Sequence, residues 1–164
     1  MKKLFLLLIA VCMLACEKNV PTPQYVDLGL PSGTKWKNMN EKNPQDDHGF
    51  YTYDEAYYEF GKALPTHDQM QELIDECTWK WDKNGYQVIG QNGNHIFLPA
   101  EGIRKIDSVY ASGTYGDYWI WTAKEGGVPL PDPRDLRFDS TQIHIHWLPK
   151  TKKMAISISV RLVE

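Results

Sequence analysis

The chain is poor in cysteine, and the three it has are Cys12, Cys16 and Cys77. It also lacks an apolar run long enough to span a bilayer. The longest, residues 4–14, falls short of the roughly 20 residues a transmembrane helix needs. An excess of basic charge is missing as well. With 18 Lys and Arg against 21 Asp and Glu, the formal net charge is −3, which disfavours nucleic acid as a partner because phosphate recognition rewards a basic patch. Neither an internal repeat nor a low-complexity segment is present. What the chain does have is aromatic mass: six tryptophans and nine tyrosines, able to bury large area in a core held by packing.

The apolar run follows Lys2 and Lys3 and ends in "MLAC", which has the form of an export signal. That ending resembles the lipobox of bacterial lipoproteins, with Met13 in place of the commoner leucine. The resemblance implies that Cys16 is acylated and becomes the mature N-terminus. An ordinary secretory signal cleaved near Ala15 is the alternative, and "IAVC" before Cys12 is a weaker lipobox. Removal of residues 1–15 takes away Lys2 and Lys3, leaving 16 basic residues against 21 acidic ones and a net charge of −5. Cys77 is then the one free thiol, and no intramolecular disulfide is available to the exported domain. Residues 16–24, polar and proline-containing, read as a tether, and residues 25–164 as one domain.

Within that domain, residues 25–30 and 34–39 read as strands around the Pro31-Ser32-Gly33 turn. Two helices follow, each opening on a capping box: Thr52 with Glu55, then Thr66 with Gln69. In the second, Met70, Leu73, Ile74 and Cys77 form one apolar stripe, which predicts a core-facing thiol. "TWKWD", "YQVIG", "HIFLPA", "DYWIWTA", "LRFD", "QIHIHW" and "MAISISVRLV" read as strands, and "KEGGVPLPDPRD" as a loop without regular structure. Two early helices and many later strands predict an α+β domain, with the helices packed on a mainly antiparallel sheet system.

"QIHIHW" carries the pattern that bears most on chemistry. Strand alternation puts His144 and His146 on one face and Ile143, Ile145 and Trp147 on the other, which should be the core side. A zinc site would need His95 or Asp139 as further ligands, and nothing in the sequence joins them. Exposed hydrogen-bonding imidazoles are the expected reading. In "YGDYWIW", Trp119 and Trp121 share a face and are expected in the core, leaving Tyr115 the better contact residue.

Five landmarks in order, "YVDLGLPSGTKW", "LPT" with "QELIDECTWKW", "NGNHIFLPAEGIR", "GTYGDYWIWTA" and "SVRLV", resemble the Fibrobacter succinogenes major paralogous domain of exported Bacteroidetes lipoproteins. That family is similar to the C-type-lectin-like fold. Members often carry a cysteine where this chain has "WKNMN", a departure consistent with an unpaired Cys77. The resemblance implies a ligand face formed by the late strands and the long loop at residues 126–135. Tyr115, Asp132, Asp135, His144 and His146 are the candidate ligand-binding residues. The acids Asp132, Asp135 and Asp139, in or beside that loop, are expected to be solvated; calcium would need more oxygen ligands than they supply. Formylglycine-generating enzymes of the same broad fold use a cysteine pair and copper, and one mature-domain cysteine cannot supply the pair. The expectation is therefore a non-enzymatic, lipid-anchored envelope module without cofactor, on the outer membrane at either face. It would bind a glycan or a protein and touch the membrane through its anchor alone. A structural subunit of a surface complex is the alternative.

Overall fold

In the computed structural model, residues 22–122, 124–125, 128–129, 133–148 and 156–164 are described. They form a mixed helix-and-strand structure with two short helices and several small antiparallel sheets. Both helices begin where the capping boxes predict. Thr52 accepts from the Glu55 amide ahead of α1 (Tyr53–Phe60), and Thr66 accepts from the Gln69 amide ahead of α2 (His67–Glu76). In each case the Glu55 or Gln69 side chain returns to the cap's own N–H, satisfying two otherwise orphaned donors. Met70 and Leu73 of α2 are buried, and Ile74 packs against the same core. Cys77 terminates α2 in extended conformation and is half-buried against that core, where desolvation pushes its thiol up to about 11.

Two three-stranded sheets follow. The first joins β3 (Thr78–Trp81), β4 (Gly85–Ile89) and β5 (His95–Pro99); the second has β11 (Arg134–Phe138) between β8 (Gly116–Ile120) and β12 (Ile143–Trp147). Short antiparallel ladders join β1 (Tyr25–Asp27) to β2 (Lys35–Lys37) and β6 (Ile103–Lys105) to β7 (Ser108–Tyr110).

Every residue of β8 is buried, because the strand separates two apolar clusters. Tyr118 and Ile120 point into one with Trp36, Leu73, Val88 and Leu136, while Trp119 points into the other with Tyr51, Tyr53 and Ile158. The expected tryptophan pair is there: Trp119 is fully buried and its indole N–H donates to the Tyr51 carbonyl at 2.8 Å, and Trp121 packs half-buried in the same cluster.

The structure departs from the sequence reading in several places. Trp147 does share a face with Ile143 and Ile145, yet it is 57% exposed at the strand's end, where its ring lies 3.9 Å from the Arg134 guanidinium. The described part of "MAISISVRLV" is buried without being a strand. It makes isolated bridges instead, Ser157 with Arg104, Ile158 with Tyr51, Ser159 with Tyr118 and Val163 with Trp36, so it ties elements together rather than extending one sheet. The loop expected to be irregular contains a two-residue ladder, β9 (Lys124–Glu125) with β10 (Val128–Pro129). The β6–β7 hairpin has no signal in the sequence pattern.

Inside the molecule, Arg161 is almost fully buried and spends its donors on Asn40 Oδ1 at 2.9 Å, the Lys37 carbonyl at 2.7 Å and the Phe97 carbonyl at 2.8 Å. Asn40 in turn donates to Glu101 and to the Tyr118 hydroxyl, and that hydroxyl donates to the Pro99 carbonyl. A buried cation is tolerable only when its hydrogen bonds are met in this way.

Candidate functional site

The register of the β8–β11–β12 sheet aligns polar residues that are far apart in sequence. Arg137 stands opposite Asp117 on one side and His144 on the other; Asp135 stands opposite Trp119 and His146. Cross-strand partners share a face, so these six side chains emerge on one side of the sheet. Asp135, expected to be a solvated loop acid, is instead fully buried in β11. Burial of a carboxylate demands partners, and it has two: Arg137 approaches Oδ2 through Nε and Nη2, both at 2.8 Å, and His146 Nδ1 lies 3.2 Å from Oδ1.

Asp117 is buried beside this pair with less support. Its Oδ2 is 3.4 Å from Arg137 Nε, and among the described residues its buried Oδ1 meets no donor. Desolvation, reinforced by the adjacent Asp135 carboxylate, holds the Asp117 carboxyl well above the usual range. A protonated Asp117 donating to Asp135 resolves two buried acids facing one guanidinium.

A cavity of about 310 Å³ opens beside these groups. Asp117, Arg137, Tyr115 and Lys105 provide its polar lining, and Ile103, Leu148 and Ile156 its apolar wall. Burial raises the Tyr115 phenol above its ordinary value, and it is a neutral hydroxyl on an aromatic ring. The volume lies at the lower end of the roughly 300–1,000 Å³ common for small-molecule sites.

Of the sequence-derived candidates, Tyr115 lines this cavity, Asp135 anchors Arg137, and His146 braces Asp135. His144 is exposed one step along, its ring centroid 6.4 Å from that of His146. Asp132 and Cys16 lie outside the described residues. His95 begins β5, in the other three-stranded sheet, and Asp139 is taken up by Thr141 and Gln142, whose hydrogen bonds lower its carboxyl to about 2. Among the described residues no three His, Cys, Asp or Glu side chains gather as a metal-binding group. Sequence reasoning did not select Asp117, Arg137 or Lys105. Alternation in "GDYWI" does place Asp117 on the Trp119 face, but the cross-strand register that adds Arg137 is not visible in any local pattern.

No family model, no curated protein and no solved structure matches the chain. Among the described residues no helix is long and apolar enough to cross a membrane.

Proposed function

We propose that this chain is a lipid-anchored, non-catalytic binding module of a bacterial cell envelope, with a C-type-lectin-like fold and a saccharide ligand. The observation that carries the reading is the cavity beside Tyr115, in which an aromatic ring and an aliphatic wall meet Asp117 and Arg137. A sugar ring offers C–H faces to the first and hydroxyls to the second. The fold assignment rests on the sequence landmarks, and two helices ahead of the two three-stranded antiparallel sheets are consistent with it. Attachment rests on "MLAC", with Cys16 acylated and residues 16–24 as tether to the outer membrane.

A glycan array probed with the full-length protein in mild detergent, with calcium, with zinc and with EDTA, tests this reading. Binding of a defined glycan set that survives EDTA is expected, weakened by Tyr115→Ala and by the His144→Ala, His146→Ala double variant. The histidine effect is expected because His146 braces Asp135, which orients Arg137. Silence of the folded protein against every glycan contradicts the reading.

One observation favours a protein partner as the second reading. Ile106 and Tyr110, on the β6–β7 hairpin, are 84% and 52% exposed. Binding of that kind would be lost in Ile106→Asp and untouched by Tyr115→Ala.

A further inference from the structure

Two other buried polar clusters of the described structure are paired within the fold. Every nitrogen of Arg161 is bonded within the fold, and buried Asp46 pairs with Arg104 at 2.7 Å. The cavity beside β8 differs, because it keeps unspent polar capacity.

Arg137 commits Nε and Nη2 to Asp135, and among the described residues no hydrogen bond engages its Nη1. Lys105 has no carboxylate partner among the described residues; its ammonium lies 5.7 Å from the Tyr110 ring centroid and the residue is exposed. The buried Asp117 Oδ1 is an acceptor without a donor. Lys105, Asp117 and Arg137 all line the same cavity.

Resting on the saccharide reading above, we propose that the cavity lined by Lys105, Tyr115, Asp117 and Arg137 takes a singly charged acidic sugar, its anionic group on Lys105 and Arg137 and a ring hydroxyl on Asp117. The charges facing the cavity support a monoanion. Among the described residues, Lys105 and Arg137 bring two positive charges, Asp135 removes one, and burial disfavours charge on Asp117. The remaining charge of one sign suits a uronic acid or a sugar sulfate monoester. A neutral sugar would leave the Lys105 and Arg137 donors to water, and a simple anion would leave the aliphatic wall and Asp117 unused. The cavity volume, about 310 Å³, suits a single ring.

Calorimetric titration of the full-length protein with glucuronate, glucose 6-sulfate, glucose and acetate tests this, with Lys105→Ala beside the wild type. Lys105 is exposed, so its truncation leaves the fold intact, and circular dichroism checks that. The expected result is binding of one or both acidic sugars roughly tenfold or more tighter than glucose and than acetate, as a charge-assisted hydrogen bond provides. Lys105→Ala should bring the acidic ligand close to glucose. Equal affinity for glucuronate, glucose 6-sulfate and glucose, or a preference unchanged in Lys105→Ala, overturns the acidic-sugar assignment while leaving saccharide binding standing. Acetate binding as tightly as the acidic sugars overturns it too. Failure of all four ligands together with a silent glycan array overturns both readings.

Discussion

At the scale of single residues, the account turns on which buried charges have partners. Asp117 has the weakest support, and its raised carboxyl makes a signed prediction. In the unfolded chain the group titrates near 3.8. Above that pH the unfolded state releases a proton that the folded state keeps, so stability falls as pH rises until Asp117 ionises in the fold. Asp117→Asn removes this slope and should be more stable than wild type at neutral pH. Urea denaturation between pH 4 and pH 8 measures it, and parallel curves for the two proteins would refute the neutral-acid description. Arg161 makes the opposite case. Truncation to alanine strands Asn40 Oδ1 and the Lys37 and Phe97 carbonyls, which should cost about 3–5 kcal/mol in the same assay, as removal of one member of a buried charged network does.

At the scale of elements, local rules had most of their success where the physics is local. Thr52 and Thr66 announce the helices because a capping box lies within four residues of chain; each replaced by alanine should cost about 1 kcal/mol, measured by chemical denaturation. Strand alternation correctly divided Trp119 from Tyr118. It could not tell that β8 is buried on both faces, since that depends on the C-terminal segment returning to cover it at Ser159. Alternation likewise put Trp147 on the apolar face without knowing that the face runs out there. Asp135 was legible as an acid near a loop, but its burial comes from register with Arg137 and His146, a tertiary property. Close approach is similarly invisible. A Cβ added to Gly90 would stand 2.0 Å from the Leu28 carbonyl oxygen, so Gly90→Ala must push the β4 end away from the segment after β1. A loss of about 1–3 kcal/mol is expected from such overpacking, by the same denaturation assay.

At the scale of the whole molecule, the C-terminal residues bind the parts into one body. Buried Ile158, Val160 and Leu162 fill the second core cluster, while the backbone at residues 162 and 164 bonds to Lys37 and Lys35 beside β1. The candidate site depends on this closure, because Ile156 enters the cavity wall from the same segment that covers Trp119. The proposed anchor belongs to this scale too: Cys16→Ala should abolish labelling by radioactive palmitate and release the protein from the membrane fraction. The central claim is that a sugar sits against Tyr115, and its most direct measurement is an amide-shift titration of isotopically labelled protein with glycan-array ligands. The account predicts shifts gathered at Lys105, Tyr115, Asp117 and Arg137. Shifts confined to the β6–β7 tip around Ile106, or none at saturating ligand, would contradict it.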